Sequence, residues 1–127
     1  IISASGGELT VKDDSRFPHG WSMECRINAK APGTVLSYLP PGGREVRVDS
    51  FLYPGYRVPP YYDALLAKVI THGKDRSECI ARMDRALSEF FLEGIETNLS
   101  SQRAIIESQL FKSGTYGTDI LSRLAKE

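Results

Sequence analysis

Between Trp21 and Lys30 the sequence alternates without a break: Trp21, Met23, Cys25, Ile27 and Ala29 fall on one side, Ser22, Glu24, Arg26, Asn28 and Lys30 on the other. A sustained period of two commits the stretch to a β-strand with one buried and one wet face. The apolar side then needs a covering layer, and the strand needs a partner. Strand-like runs at Thr34 to Leu39 and Val46 to Phe51 flank Pro40-Pro41-Gly42-Gly43, which favours a turn and withholds ladder donors, so a hairpin or meander is expected. Tyr53 to Tyr62, with Pro54, Gly55, Pro59 and Pro60 among four tyrosines, reads as an ordered loop. Ala64 to Thr71 is apolar except for Lys68, as in a strand buried on most of both faces.

After His72-Gly73 the period changes to that of a helix. Asp75 and Glu78 have the spacing of a capping box, and Cys79, Ile80, Met83, Leu87, Phe90 and Phe91 form a helical stripe ended by Gly94. Asn98 caps a second helix, burying Leu99, Ile105, Ile106, Leu110 and Phe111 and stopping at Gly114. A last helix, about Thr118 to Ala125, turns Ile120, Leu121 and Leu124 inward. Strands first and helices second give an α+β fold: an antiparallel β-sheet meander in the first half, packed against two to three helices from the second half.

Composition sets the limits on partners. The 127 residues, 41% hydrophobic, carry 16 Lys+Arg against 16 Asp+Glu, a formal net charge of +0. That size supports one core without staples, and that charge lacks the basic footprint of a binder of nucleic acid or anionic lipid. No nucleic acid and no membrane are expected as partners; the apolar runs fall far short of a bilayer span, and Ile1 to Gly7 carries no export pattern. Cys25 and Cys79 sit among apolar neighbours, as buried thiols in a reducing, cytosol-like compartment do. Ile1-Ile2-Ser3-Ala4-Ser5-Gly6-Gly7 reads as the end of a preceding helix and its glycine stop, so the expectation is a segment of a longer chain.

Phosphate-binding glycine loops, zinc motifs, nucleophile elbows and C-x-x-C pairs are all absent from the sequence. His19 and His72 each precede a glycine and read as loop histidines, too few for a common metal site. Asn98-Leu99-Ser100 matches a glycosylation sequon, but Asn98 is better explained as a cap. Arg26 projects from a strand whose other face is apolar, so a rigid element holds its guanidinium, and such a fork binds a carboxylate, carbonate or carbonyl oxygen with direction. On pattern alone a charge ladder with Glu24 explains it better. Asp63 can serve as an acid or a base, yet an Asp there is more often a cap or the partner of a cation such as Lys68 or Arg26.

Longer strings carry more than spacing. Glu24-Cys25-Arg26-Ile27-Asn28-Ala29, Pro41-Gly42-Gly43 with Val46-Arg47-Val48-Asp49-Ser50, Tyr53 through Asp63, and Ile80-Ala81-Arg82-Met83 through Gly94-Ile95-Glu96-Thr97-Asn98 closely resemble the C-terminal domain of biotin carboxylase. The resemblance divides the chain into residues 1–20, the tail of a preceding ATP-grasp region and linker, and residues 21–127, the C-terminal domain. It implies carboxylation of N1 of biotin on a carrier domain, by way of carboxyphosphate made from bicarbonate and MgATP. The product would feed a carboxyltransferase acting on acetyl-CoA or another acyl-CoA, as in fatty acid biosynthesis. MgATP and bicarbonate would be held mainly by upstream domains, leaving this chain inactive alone and without a metal site.

The same resemblance assigns residues. Arg26 matches the arginine that contacts the biotin ureido oxygen, which reverses the balance struck on pattern alone. Asp63 lies near the active-site face and orients its neighbours, Ile120 packs against adenine, and Arg47 lies at the homodimer interface. The implied partners are the ATP-grasp domain, the biotin carboxyl carrier domain, a carboxyltransferase and a second copy, in the cytoplasm or, in a eukaryote, the mitochondrial matrix. One departure stands out: Lys30-Ala31-Pro32-Gly33 lacks the family's acidic residue and the Phe and Pro-Ser-Pro loop before the glycine, through a deletion or an omitted stretch. Two other classes stay open: a non-catalytic dimerisation or carrier-docking module, and a small hydrolase using Glu24 and Asp63 as an acid/base pair.

Overall fold

The computed structural model describes residues 3–7, 19–61 and 63–125. Most of the expected linker, and Tyr62 at the end of the tyrosine loop, lie outside them. Residues Ser3–Ser5 form one 3-10 turn, followed by Gly6 in the left-handed region (φ 86).

The alternating stretch forms β1 (Trp21–Asn28). Two short strands, β2 (Gly33–Thr34) and β3 (Ser37–Leu39), precede β4 (Val46–Ser50), β5 (Arg57–Val58) and the nine-residue β6 (Leu65–Gly73). Helix α1 (Arg76–Glu89), strand β7 (Phe91–Glu93) and helices α2 (Leu99–Glu107), α3 (Gln109–Ser113) and α4 (Ile120–Leu124) complete the order. The α+β class and the antiparallel sheet backed by helices are as the sequence implies.

The strand order is not that of a meander. β6 is central, with β1 and β4 antiparallel on its two sides, in the order β1-β6-β4. No hairpin joins β3 to β4, because Pro40 and Pro41 offer no ladder N–H and Gly42 is held to α1 by Arg85 (Nη2 to Gly42 O, 3.2 Å). The Thr34 to Leu39 run instead serves two ladders: β2 pairs with β5, and β3 pairs with β7. Val35 between them is fully buried and donates its N–H to Tyr56 O (2.9 Å). β6 alternates along most of its length, with Ala67, Val69 and Thr71 buried and Lys68 and Ile70 half-exposed, so it is buried mainly on one face.

Asp75 caps α1 as the spacing requires, its carboxylate accepting from Glu78 N at 2.8 Å. The helix is shorter than its stripe, ending at Glu89. Phe90 turns into the core and Phe91 enters β7, because the free side of β3 offers a ladder that the aromatic, extended backbone can take. Gly94 therefore makes a tight turn (φ 94), not a helix stop; a Cβ there would run into Thr34 O and the Leu36 backbone. The second expected helix breaks at Ser108 (ψ 144), whose hydroxyl caps α3 through Phe111 N (3.1 Å), and Gly114 ends α3 in the left-handed region. Of its expected buried face only Ile106 is fully buried, with Leu99 and Phe111 packed at the margin. In α4, Ile120 and Leu124 are half-buried but Leu121 is 63% exposed, since among the described residues this short helix leans chiefly on α3. Trp21, at the start of β1, is 54% exposed and does not join the core that the alternation predicted for it.

The main core lies between the inner sheet face and α1: Cys25 and Ile27 from β1, Ala67 and Val69 from β6, Met83 and Leu87 from α1, and Ile106 from α2 are all nearly inaccessible. Each large side chain buried there contributes roughly 1.5–3 kcal/mol. Thr71, buried among them, donates its hydroxyl to Cys79 O (3.2 Å). Both cysteines are free thiols. Burial, then the charge of Glu24, pushes the Cys25 thiol up to about 11 from 9.0.

Two measurements test this packing. Gly94→Ala should lower stability by more than about 1 kcal/mol in urea unfolding, and by more than Gly55→Ala, where the backbone is also left-handed (φ 91) but the space is open. The native state holds the Cys25 proton more tightly than the unfolded chain, so that contribution is complete below pH 9.0 and is lost as pH rises towards about 11. Part of the fall in urea midpoint across that window should be missing in Cys25→Ala.

Candidate functional site

With Cys25 and Ile27 committed to the core, the pleat turns Glu24 and Arg26 to the outer face of the sheet. Register then builds rows across the three strands. Arg26 lies opposite Lys68, which lies opposite Asp49; the next row is Glu24, Ile70, Arg47. His72 sits one row further, in β6 and not in a loop as the sequence suggested, with Nε2 2.8 Å from His19 O and Nδ1 3.5 Å from a Glu45 carboxylate oxygen. Glu45 itself takes a left-handed backbone (φ 60).

Arg26 is 55% exposed, and its nearest carboxylate, Glu24, stands at 4.0 Å, the outer limit of an ion pair. Among the described residues its guanidinium donates no hydrogen bond. A contact this long and wet is worth little, so the charge ladder leaves the fork uncommitted. Its backbone, by contrast, is fixed on the side of the sheet that covers the core. Lys68 beside it was legible only as the interruption in an apolar run; register reveals it as a second cation in the same row. Two like charges opposite each other on adjacent strands disfavour the pairing, an arrangement tolerated here because Glu24 and Asp49 flank them. The resulting face attracts an anion or an electron-rich oxygen.

Arg47 is differently engaged. Its Nε and Nη2 donate to the two carboxylate oxygens of Asp49, both at 2.8 Å. This bidentate hydrogen bond, aided by the charges of Arg47 and Lys68 and opposed by desolvation, holds the Asp49 carboxyl below its usual range. The guanidinium pKa rises in return, chiefly through the same hydrogen bond.

The other expected residues are not gathered in this row. Asp63 is exposed just before β6 and lines a cavity of about 370 Å³ with Phe51, Tyr56, Leu65 and Leu66. Among the described residues no ion pair joins it to Arg26 or Lys68. Glu24 does not line that cavity, which leaves the hydrolase reading without an acid/base pair. Ile120 opens α4 on the helical side. Among the described residues no cluster of three or more His, Cys, Asp or Glu could hold a metal ion, and no helix is long and apolar enough to cross a membrane. Lys30, Ala31 and Pro32 border a cavity of about 190 Å³ with Val58, Pro59 and Pro60, and Lys30 pairs with Glu96 at 2.9 Å.

Residues 24–123 match the family model described as biotin carboxylase C-terminal domain. The chain is 52% identical over 129 residues to biotin carboxylase 1 of Bacillus subtilis, covering 95% of this chain and 29% of that protein. Those 129 aligned positions exceed the 127 residues of the chain, so the relative carries residues this chain has not. Among solved structures, the biotin carboxylase domain dimer of Hydrogenobacter thermophilus 2-oxoglutarate carboxylase, in complex with MgADP, ADP and bicarbonate, superposes with a TM-score of 0.90 at 31% identity, over 96% of this chain and 29% of that one. The complete multifunctional pyruvate carboxylase of Rhizobium etli superposes with a TM-score of 0.84 at 30% identity, over 91% of this chain and 12% of that one. The chain thus spans less than a third of the length of these proteins.

The Arg47 to Asp49 pair can be tested directly. Because the Asp49 carboxyl is lowered in the folded state, its contribution to stability is present above the ordinary carboxylate range and is lost as pH falls through the folded value. Arg47→Ala should therefore move the Asp49 titration, followed by carboxyl carbon NMR, to higher pH.

Proposed function

The chain belongs to the biotin carboxylase C-terminal domain family, and on that premise we propose that it works as the C-terminal part of a larger biotin carboxylase, in which Arg26 polarises the ureido oxygen of carrier-bound biotin during ATP- and bicarbonate-dependent carboxylation. The observation that carries this reading is the uncommitted fork of Arg26 on a strand whose opposite face is core. Biotin supplies the N1 nucleophile of the reaction. Arg26 offers parallel N–H donors to the oxygen on which negative charge gathers, and the strand spares it the reorganisation a loop would require. Lys68 adds positive potential to the same row.

A ureido oxygen fits an exposed fork of this kind. MgATP and most contacts to bicarbonate are assigned to the part of the carboxylase beyond this domain, since the chain spans less than a third of the length of its relatives, and the domain alone is proposed to be inactive. Ile120, half-buried at the start of α4, is proposed as an apolar wall for adenine, and Asp63 as an orienting group at the end of the sheet. Arg47, exposed on the outer strand β4, is proposed at a homodimer face; the Hydrogenobacter domain is a dimer. Residues 1–20 are read as the tail of the ATP-grasp region and a linker.

The carboxyl group then passes to an acceptor chosen by a carboxyltransferase. An acyl-CoA, as in fatty acid biosynthesis, is the proposed acceptor, although the two structural neighbours named above are a pyruvate carboxylase and a 2-oxoglutarate carboxylase. The two buried free thiols suit a cytoplasmic or mitochondrial-matrix setting. In the whole carboxylase, Arg26→Ala should lower kcat for carboxylation of biotin by about 10²-fold and leave KM for MgATP unchanged. Arg26→Lys should recover only part of the loss, since a point charge lacks the fork. An unchanged kcat in Arg26→Ala would remove Arg26 from the mechanism.

A further inference from the structure

Asn98 stands where an N-cap belongs, yet its side chain makes no capping bond to α2. Its carboxamide is turned to β1 instead. Oδ1 accepts from Asn28 N (2.8 Å), Nδ2 donates to Arg26 O (3.1 Å), and the Asn98 main-chain N–H donates to Asn28 O (3.1 Å). Gln102, one turn further along α2, donates a second, longer bond to the same Arg26 carbonyl (3.4 Å).

The location gives these bonds their meaning. At Ile27/Asn28 the β1 to β6 register slips, Ile27 facing Ala67 and Asn28 facing Leu65. The ladder that holds the inner side of β1 is therefore irregular within two residues of Arg26. On the outer side, the 96–98 segment takes over as a partner: Lys30 N donates to Glu96 O (2.9 Å), and Ala29 bridges Thr97. Asn98 closes this substitute ladder with a side chain that imitates a peptide group. A carboxamide suits this role because its donor and its acceptor sit on two separate atoms, one for Arg26 O and one for Asn28 N; an ionised Asp has no donor, and the single hydroxyl oxygen of Ser or Thr does not span both partners.

From this geometry we propose that Asn98, assisted by Gln102, is a positioning residue for Arg26, fixing the direction in which the guanidinium leaves the strand. The inference rests on the role proposed above for Arg26. A site of this kind depends on support that holds its geometry to a fraction of an ångström.

Asn98→Asp tests it in the whole carboxylase, because the variant keeps the size and the acceptor and loses the donor. With biotin, bicarbonate and MgATP as substrates, kcat should fall by about 10- to 100-fold while KM for MgATP is unchanged. In an Arg26→Ala background the same change should cause no further fall, since residues acting as one unit are not additive. A normal kcat in Asn98→Asp, or an equal loss in both backgrounds, overturns the inference while leaving Arg26 in place. A normal kcat in Arg26→Ala overturns the reading of Arg26, and the inference with it. Should Asn98→Asp fail to fold, Gln102→Ala decides: a loss of kcat seen only when Arg26 is present supports the inference, and no loss overturns it.

Discussion

The two-sided ladder of β6 is the constraint on which the molecule depends. A strand bonded on one side to β1 and on the other to β4 has its faces defined for it, and its inner residues Ala67, Val69 and Thr71 become the floor on which α1 packs. That packing in turn decides which side of β1 is buried, and hence that Glu24 and Arg26 point away from the core. The charged outer face is a consequence of where the apolar residues go: the pleat admits no other placement once Cys25 and Ile27 are inside.

Rigidity and exposure are combined here by layering. The outer sheet face carries Glu24, Arg26, Arg47, Asp49 and Lys68 on a support whose reverse side is close-packed, so charged groups stay hydrated while their anchor points cannot drift. Within this set the two arginines have divergent fates. Arg47 is held bidentately by a carboxylate two residues away on its own strand, and Arg26 has a carboxylate at arm's length. Guanidinium availability, more than its presence, marks the residue suited to an incoming oxygen.

Much of this was legible in the sequence, and the failures have physical causes. The alternation from Trp21 fixed β1 and the facing of Arg26 because a period of two has only one structural meaning at that length. Asp75 and Gly114 behaved as caps because their requirements are local. The meander was wrong because strand order depends on which edge finds which partner, a long-range matter that Pro40 and Pro41 only constrain negatively. The end of α1 was misplaced because Phe90 and Phe91 continue a helical stripe as well as they begin a strand, and β3 settled the contest. Asn98 illustrates the general difficulty: a residue type that fits a local role was recruited by a backbone 70 residues away, and nothing near it in the sequence announces that. Lys68 was visible as an anomaly, but its neighbours in space became known only through register.

The sheet's two flanks are treated unequally. The C-terminal end of β1 is joined by the 96–98 segment, whereas β4, five residues long and carrying Arg47 and Asp49, is the last strand on its side among the described residues. An open strand flank is a template on which foreign chains can grow. Brevity and the opposite charges of Arg47 and Asp49 make this one a poor seed for fibrils.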